Sequence, residues 1–215
     1  EQGFVIKTNE RYRLSHRFIN YGRSVQNQSM LYTVGKQYID ELAKKTGEYA
    51  HLMVEENGRG YYLYRSRGEN SIAEEFHKQK NQKPDYLHHC STGKAILAKL
   101  PRQRVEEIIE QHGLPKSTEN TITTKDSLYK ELEKTRERGY AVYDGEEVSG
   151  TRAVGVAIFD ESVDIYGAVS VSGTVTRMQG ERWTDEIPEM VKQTANLIEI
   201  DLQTVSETNG SEVEY

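Results

Sequence analysis

The stretch YAVYDGEEVSGTRAVGVAIFD, residues 140–160, and the run IYGAVSVSG at residues 165–173 decide the fold. They contain three successive strand-like runs, YAVYD, RAVGVAIFD and IYGAVSVSG, which are rich in Val, Ile, Tyr and Ala. Short polar segments separate the runs, so consecutive strands are joined as hairpins and run antiparallel. This part of the chain therefore predicts an antiparallel sheet.

A further hairpin and several helices extend this pattern. The segment YAHLMVEENGRGYYLYRS, residues 49–66, alternates on both sides of a polar turn, and residues 123–139 predict a charged helix. Apolar residues recur at helical spacing at two places, Leu31, Val34, Tyr38 and Leu42, and Ile187, Val191, Ile198 and Leu202. We predict one α+β domain over residues 29–205, with a largely antiparallel sheet flanked by helices, and a polar tail over residues 206–215.

The first residues form a separate unit. The segment GFVIKTNERYRLS, residues 3–15, has two short β-prone runs around a polar turn, which predicts a hairpin. A two-stranded hairpin alone is marginal in water, so we expect its partners to lie upstream. The first residue is Glu1 rather than Met, and we expect the sequence to be a piece of a longer protein.

Composition restricts the class of protein. The formal net charge is -6, with 35% hydrophobic and 29% charged residues, so composition gives no reason to expect nucleic-acid binding by this piece. One cysteine excludes an internal disulfide and is typical of a reducing compartment. Neither an apolar run of about 18 residues nor a secretory leader is visible, so we expect a cytoplasmic protein without membrane contact.

The motif HHCSTGKAILAKL, residues 88–100, carries the densest chemistry. A phosphate-binding P-loop needs Gly where His88 stands and Ser or Thr where Ala95 stands, so nucleotide binding is excluded. A metal at this motif would take its ligands from His88, His89 and Cys90. Because neighbours in an extended strand point to opposite faces, at most His88 and Cys90, or His89 alone, share one side. A helix start lowers the pKa of a nearby thiol, which keeps a Cys90 nucleophile open, but a small buried cysteine is the simpler interpretation.

The simplest interpretation of the same motif is a capped helix. Ser91 or Thr92 caps it, and Gly93 allows another group to approach the backbone. Such a helix end binds anions readily, or it is an ordinary capped helix with nothing bound. Elsewhere, Ser170 and Ser172 line one side of a strand, either as the wall of a polar cavity or as a solvent-facing row.

Five segments occur in an order that resembles the IclR family of transcription regulators. They are GFVIKTNERYRLS, IDELAKKTGEYAHLMV, STGKAILAKLP, RGYAVYDGEEVSGTRAVGVAIFD and GAVSVSGTVTRM. The resemblance covers residues 3–205 and implies a GAF-like effector-binding domain at residues 29–205, preceded by the wing hairpin of a winged helix-turn-helix domain (residues 1–16) and a linker helix (residues 17–28). It further implies operator DNA as partner of the N-terminal domain, a homodimer or tetramer, no enzymatic activity and no cofactor.

The resemblance also implies an effector pocket for a small organic acid. Carried over position by position, its candidate residues are Ser91, Thr92, Gly93, Glu147, Ala157, Ser170 and Ser172, with Glu146 as the lesser alternative to Glu147. Some relatives have cysteine where this chain has Ala157, so the ligand of no single relative is carried over. Some relatives have a metal in this domain, which keeps His88, His89 and Cys90 open.

Two other functions remain open at this point. One is a hydrolase that uses Cys90 with a nearby histidine or with zinc. The other is a small-molecule sensing module without a role in DNA binding.

Overall fold

A six-stranded antiparallel sheet organises the structure. The computed structural model describes residues 3–71, 83–160 and 165–210. The strands are β1 (Val5–Thr8), β2 (Arg11–Leu14), β3 (Tyr49–Glu56), β4 (Arg59–Arg67), β5 (Asp85–Tyr86), β6 (Ala141–Asp144), β7 (Thr151–Asp160) and β8 (Ile165–Thr174). The large sheet has the order β5-β4-β3-β8-β7-β6, and every neighbouring pair is antiparallel. The predicted α+β fold with an antiparallel sheet is confirmed.

Helices cover both faces of this sheet. They are α1 (Arg17–Gln28), α2 (Met30–Thr46), α3 (Ser91–Lys99), α4 (Arg102–His112), α5 (Lys125–Arg138) and α6 (Ile187–Gly210). Buried apolar residues of α2 and α6 pack on one face, and those of α3, α4 and α5 form a second cluster on the other. The sequence sets the ends of α2, because the Ser29 hydroxyl accepts from the Tyr32 N–H and Gly47 takes a left-handed φ of 71°.

The N-terminal unit has the secondary structure that the sequence predicts. β1 and β2 pair as a two-stranded hairpin, and the Phe4 ring lies 5.6 Å from the rings of Phe18 and Tyr21 in α1. α1 has no buried residue. The assignment of the hairpin to a DNA-binding wing and of α1 to an interdomain linker stays a prediction.

The last helix is longer than the sequence pattern predicts. α6 continues to Gly210, five residues into the segment that the sequence predicts as a polar tail. The polar residues are accommodated because Thr204 Oγ1 and Ser206 Oγ donate to the carbonyls of Ile200 and Gln203 within the helix. Residues 211–215 of the predicted tail lie outside the described residues. Across the described ranges, no helix is long and apolar enough to cross a membrane.

Candidate functional site

Small residues lie side by side on the face of the sheet that α3 covers. Ser170 on β8 lies between His51 of β3 and Gly155 of β7, and Ser172 lies one pair further along, beside Ala153. Residues directly opposite each other in antiparallel strands point to the same face. The prediction that the two serines share one strand face is confirmed. The neighbouring strand β7 contributes Gly155 and Ala153 to the same surface, which we call the floor.

The first turn of α3 packs directly on this floor. A Cβ added to Gly155 would lie 2.6 Å from the carbonyl carbon of Ser91, and one added to Gly93 would lie 2.3 Å from the carbonyl oxygen of Leu87. Ser91 and Thr92 are buried. The close approach that Gly93 allows is therefore made by the chain itself, at the turn that precedes the helix.

The cap of α3 differs from the prediction. Cys90, not Ser91 or Thr92, is the N-cap, and its carbonyl accepts from the Lys94 N–H at 2.9 Å. The prediction that Ser91 or Thr92 caps the helix was wrong. The helix already begins at Ser91, so the capping position falls on Cys90. Cys90 is buried, and its Sγ lies 3.6 Å from the Tyr86 carbonyl oxygen. It packs as a small apolar residue.

The two histidines do not follow the alternation of an extended strand. Residues 87–89 form a 3₁₀ turn, so the rings of His88 and His89 stack with centroids 5.1 Å apart. His88 Nε2 donates to the Pro115 carbonyl at 3.1 Å, and burial lowers the pKa of His88. The group whose ligand atoms converge is Asp85, His89 and Glu147, so the structure gives no support to a metal held by His88, His89 and Cys90 together.

The lysine of the Gly-Lys pair is a buried structural residue. Lys94 is 0% exposed, and its Nζ forms an ion pair with Glu146 in the β6–β7 loop. Glu146 also accepts from the Asp144 N–H at 2.9 Å, and the Thr121 hydroxyl donates to its carbonyl at 2.5 Å. Burial raises the pKa of Glu146, while the Lys94 ammonium opposes that shift. The pair ties α3 to the loop that carries Glu147.

Three ligand-type side chains from separate segments converge next to this ion pair. One oxygen each of Asp85 and Glu147 and one ring nitrogen of His89 all lie within 4.8 Å of one another. Asp85 and His89 are 7% and 5% exposed. Ser117 Oγ lies 3.2 Å from His89 Nδ1 and fixes the orientation of the ring. This group can hold a metal ion.

A series of hydrogen-bonded polar side chains also runs across the face of the sheet that α3 covers. Arg65 Nε donates to His51 Nδ1 at 2.9 Å, which makes Nδ1 an acceptor and places the ring proton on Nε2. His51 Nε2–H therefore donates to Ser172 Oγ at 2.8 Å, and the Ser172 hydroxyl keeps its own proton to donate. Burial lowers the pKa of the Arg65 guanidinium, and the charges of Asp85 and Glu147 are among the influences that oppose this shift.

The predicted residues do not all lie together in this site. Ala157 pairs with Ala168 and packs with Ala95 in the apolar cluster under α3, away from the two serines along β7 and β8. Sequence reasoning missed the polar residues that complete the site, His51, Arg65, Asp85 and Lys94. The alternation of residues 49–66 gives a signal for the first two, because His51 and Arg65 lie opposite each other on one face.

The chain belongs to the IclR family of transcription regulators. The family model described as "Bacterial transcriptional regulator IclR C-terminal" matches residues 24–200. A relative from Halobacterium salinarum, a probable HTH-type transcriptional regulator ArcR, is 37% identical over 90% of this chain and 73% of its own length. The Escherichia coli transcriptional repressor IclR is 34% identical over 46% of this chain and 36% of its own length.

A solved structure agrees with this assignment. The crystal structure of the Thermotoga maritima IclR superposes with a TM-score of 0.79 and 32% identity, over 94% of this chain and 80% of that chain. These relatives are transcription regulators and not enzymes. The chain is an IclR-type transcription regulator, and the hydrolase interpretation of Cys90 is dropped.

Proposed function

We propose that this chain is the effector-sensing part of the regulator and binds a small organic acid on the polar site beneath the first turn of α3. The proposed contacts come from Ser91, Thr92, Gly93, Glu147, Ser170 and Ser172, whereas Ala157 lies in the apolar cluster and is not included. To these we add Arg65, which acts on the site through its hydrogen bond to His51. The protein holds the acid without transforming it.

The observation that carries this proposal is the pair of hydrogen bonds that links Arg65 to His51 and His51 to Ser172. A hydroxyl that already accepts from an imidazole N–H directs its own proton elsewhere, and a carboxylate oxygen is the natural acceptor. The Arg65 guanidinium adds a positive charge close by. Gly155 beside Ser170 lets the backbone of Ser91 and Thr92 lie directly against this face of the sheet, so a guest bound here would contact both the serines and the start of α3.

Glu147 sets the specificity in this proposal. A second carboxylate on the guest would meet the Glu147 carboxylate, whereas a hydroxyl would donate to it. We therefore expect small monocarboxylic acids with a hydroxyl or a carbonyl beside the carboxylate to bind more tightly than dicarboxylic acids of similar size.

Regulation is proposed to follow from a shift between two arrangements of the oligomer. The chain works in the cytoplasm as a homodimer or tetramer, and α1 connects it to the DNA-binding domain. A ligand that prefers one arrangement changes operator affinity by about 5- to 150-fold, the range typical of such coupling.

Isothermal titration calorimetry with small carboxylic acids tests the proposal. The double variant Ser170→Ala with Ser172→Ala should weaken binding of the best acid by about 10- to 100-fold, the size expected for lost hydrogen bonds to a charged group. Ser66→Ala is the matched control, because its hydroxyl donates to Asp40 on the other face of the sheet. Equal affinity in the double variant and the control would remove the serines from the site.

A further inference from the structure

We propose that a groove between α3, α5 and α6 is a second ligand-binding site, which takes an organic anion with an apolar body. The groove has a volume of about 400 Å³, within the range of about 300–1,000 Å³ that small-molecule sites usually have. Its α3 residues are Ala95, Ala98 and Lys99, which follow the first turn of that helix. The groove therefore lies at the opposite end of α3 from the proposed effector site.

The groove exists because β6 covers only part of β7. Pairing between the two strands ends at Ala141 and Gly155, whereas β7 continues to Asp160. Val156 and Ala157 follow directly after the last paired residue of β7, and both line the groove. The base of the groove is thus a strand edge that no neighbouring strand of the described residues covers.

The walls of the groove are built from small apolar side chains. Ala95 and Ala98 on α3 face the groove from one side, and Ala195 on α6 faces it from the other. Larger residues at these positions would fill the space between the helices. Contact with the apolar part of a guest removes these surfaces from water, which favours binding.

The groove is lined by an excess of positive charge. Lys99, Arg136 and Lys192 contribute three cations from three helices, whereas Glu199 contributes one carboxylate. Arg136 pairs with Glu133, but among the described residues Lys99 and Lys192 form no ion pair with a carboxylate. This concentration of cations lies on a chain whose formal net charge is -6. The groove is complementary to a guest with one negative group.

Lys192 is held in position at the groove. Its ammonium lies 5.0 Å from the centroid of the Tyr140 ring, and a Cβ added to Gly139 would lie 3.6 Å from its Cε. A side chain that neighbouring groups already hold loses less conformational freedom when it binds an anion. A bound guest would place its negative group at this ammonium and its apolar body against the alanines.

The strand edge favours a small molecule over an extended peptide. Glu199 Oε1 accepts from the Phe159 N–H at 3.0 Å, so the side chain occupies one of the backbone groups that an added strand would need. Only a guest that binds without continuing the sheet leaves this hydrogen bond intact. The geometry therefore points to a compact organic anion.

A pair of fluorescent probes tests the site on the 215-residue chain in a buffer without organic acids. One probe is 8-anilinonaphthalene-1-sulfonate, an aromatic sulfonate whose emission rises in apolar surroundings. The other is N-phenyl-1-naphthylamine, which has the same rings without the sulfonate. We expect one sulfonate probe per chain, bound at least about 10-fold more tightly than the neutral probe. Equal affinity for the two probes would overturn the proposal.

Matched lysine variants test the contribution of charge. Lys99→Gln with Lys192→Gln should weaken binding of the sulfonate about 10-fold and leave the neutral probe unchanged. The control is Lys130→Gln with Lys134→Gln, which removes the same charge from exposed positions of α5 outside the groove. Equal weakening by both double variants would assign the effect to the overall charge of the protein and overturn the site.

A further set of variants distinguishes this groove from the effector site. Asn196→Trp places a large side chain at an exposed position that lines the groove, and it should weaken binding of both probes. Ser170→Ala with Ser172→Ala should change neither affinity. Loss of probe binding in the serine variant alone would place the probe in the effector site and contradict the proposal.

A crystal structure with the bound sulfonate probe gives an answer that needs no variant. We expect its electron density between α3, α5 and α6, with the sulfonate close to Lys99 and Lys192. Density for the probe at any other place, or none beside a fully occupied crystal soak, would overturn the assignment. Circular dichroism of each variant shows whether it has folded.

Discussion

The two faces of the same three central strands differ in chemistry, because the face toward α3 combines apolar residues such as Met53, Ala157 and Ala168 with a group of polar ones. Toward α2 and α6, the side chains of β3, β7 and β8 are apolar and buried, namely Ala50, Leu52, Val154, Ile158, Val169 and Val171. Toward α3, the alternate positions include His51, Gly155, Ser170 and Ser172. One face contributes mainly to stability, whereas the other gives up part of its apolar contact area to hold polar groups.

The polar face still contains a strong structural element. The buried Lys94–Glu146 pair joins α3 to the β6–β7 loop. A buried ion pair is worth little compared with well-packed apolar residues, but removing one partner leaves an isolated buried charge. The comparison between the faces therefore predicts different costs for different changes.

Breaking the buried ion pair is expected to have the largest effect. Lys94→Met should lower the free energy of unfolding by about 3–5 kcal/mol, because it leaves the Glu146 carboxylate buried without its cation. Urea unfolding at pH 7 measures the change. The double variant Lys94→Met with Glu146→Gln should recover much of the loss, and a single variant as stable as the wild type would mean that solvent reaches the site.

Two adjacent residues on β8 compare the faces directly. Val169 is 0% exposed on the apolar face, and Val169→Ala should cost about 2–3 kcal/mol through lost burial and the cavity left behind. Ser170→Ala on the polar face should cost less than about 1 kcal/mol while it weakens binding of the acid. Paired urea unfolding and calorimetry measure both quantities. The distinction between the faces fails if Ser170→Ala is the more destabilising change.

The smallest effect is expected at the rim of the apolar face. Burial by itself would raise the pKa of Asp40, but hydrogen bonds from Ser66 and Tyr64 and the charge of Lys36 outweigh it and lower the pKa. Since the folded pKa lies below the unfolded value, the stabilisation is present above about pH 4 and is lost as pH falls through the lowered pKa.

The Asp40 side chain is 42% exposed, so solvent screening keeps the gain below about 1 kcal/mol. Asp40→Asn should differ from the wild type at pH 6 and approach it near pH 3, as followed by urea unfolding at each pH. A difference that stays constant over this range would assign the effect to lost hydrogen bonds rather than to the charge.

Strand and helix periodicity predicted most of the fold. The hairpins at residues 3–15 and 49–66, the antiparallel runs at residues 140–173 and the helices that flank them lie where alternation and helical spacing place them. Local rules failed where packing decided the outcome. At Cys90, the helix begins one residue early, and at His88 and His89 a 3₁₀ turn replaces an extended strand.

The candidate site was only partly predictable. Ser170 and Ser172 lie on one face because strand alternation requires it, so the sequence was enough. Asp85 carries no local signal that connects it with Glu147, since residues far apart in sequence meet only through sheet order and loop packing. No local rule predicts the role of Lys94, which is buried against Glu146.

The sequence alone determined the alternation of its strands, the apolar faces of its helices and its likeness to a family, because these depend on residues that are close along the chain. Only the tertiary structure decided which polar residues share a site. Asp85, His89 and Glu147 converge, and His51 links Arg65 to Ser172, because strand pairing and the anchored β6–β7 loop bring distant segments within hydrogen-bond or ligand distance.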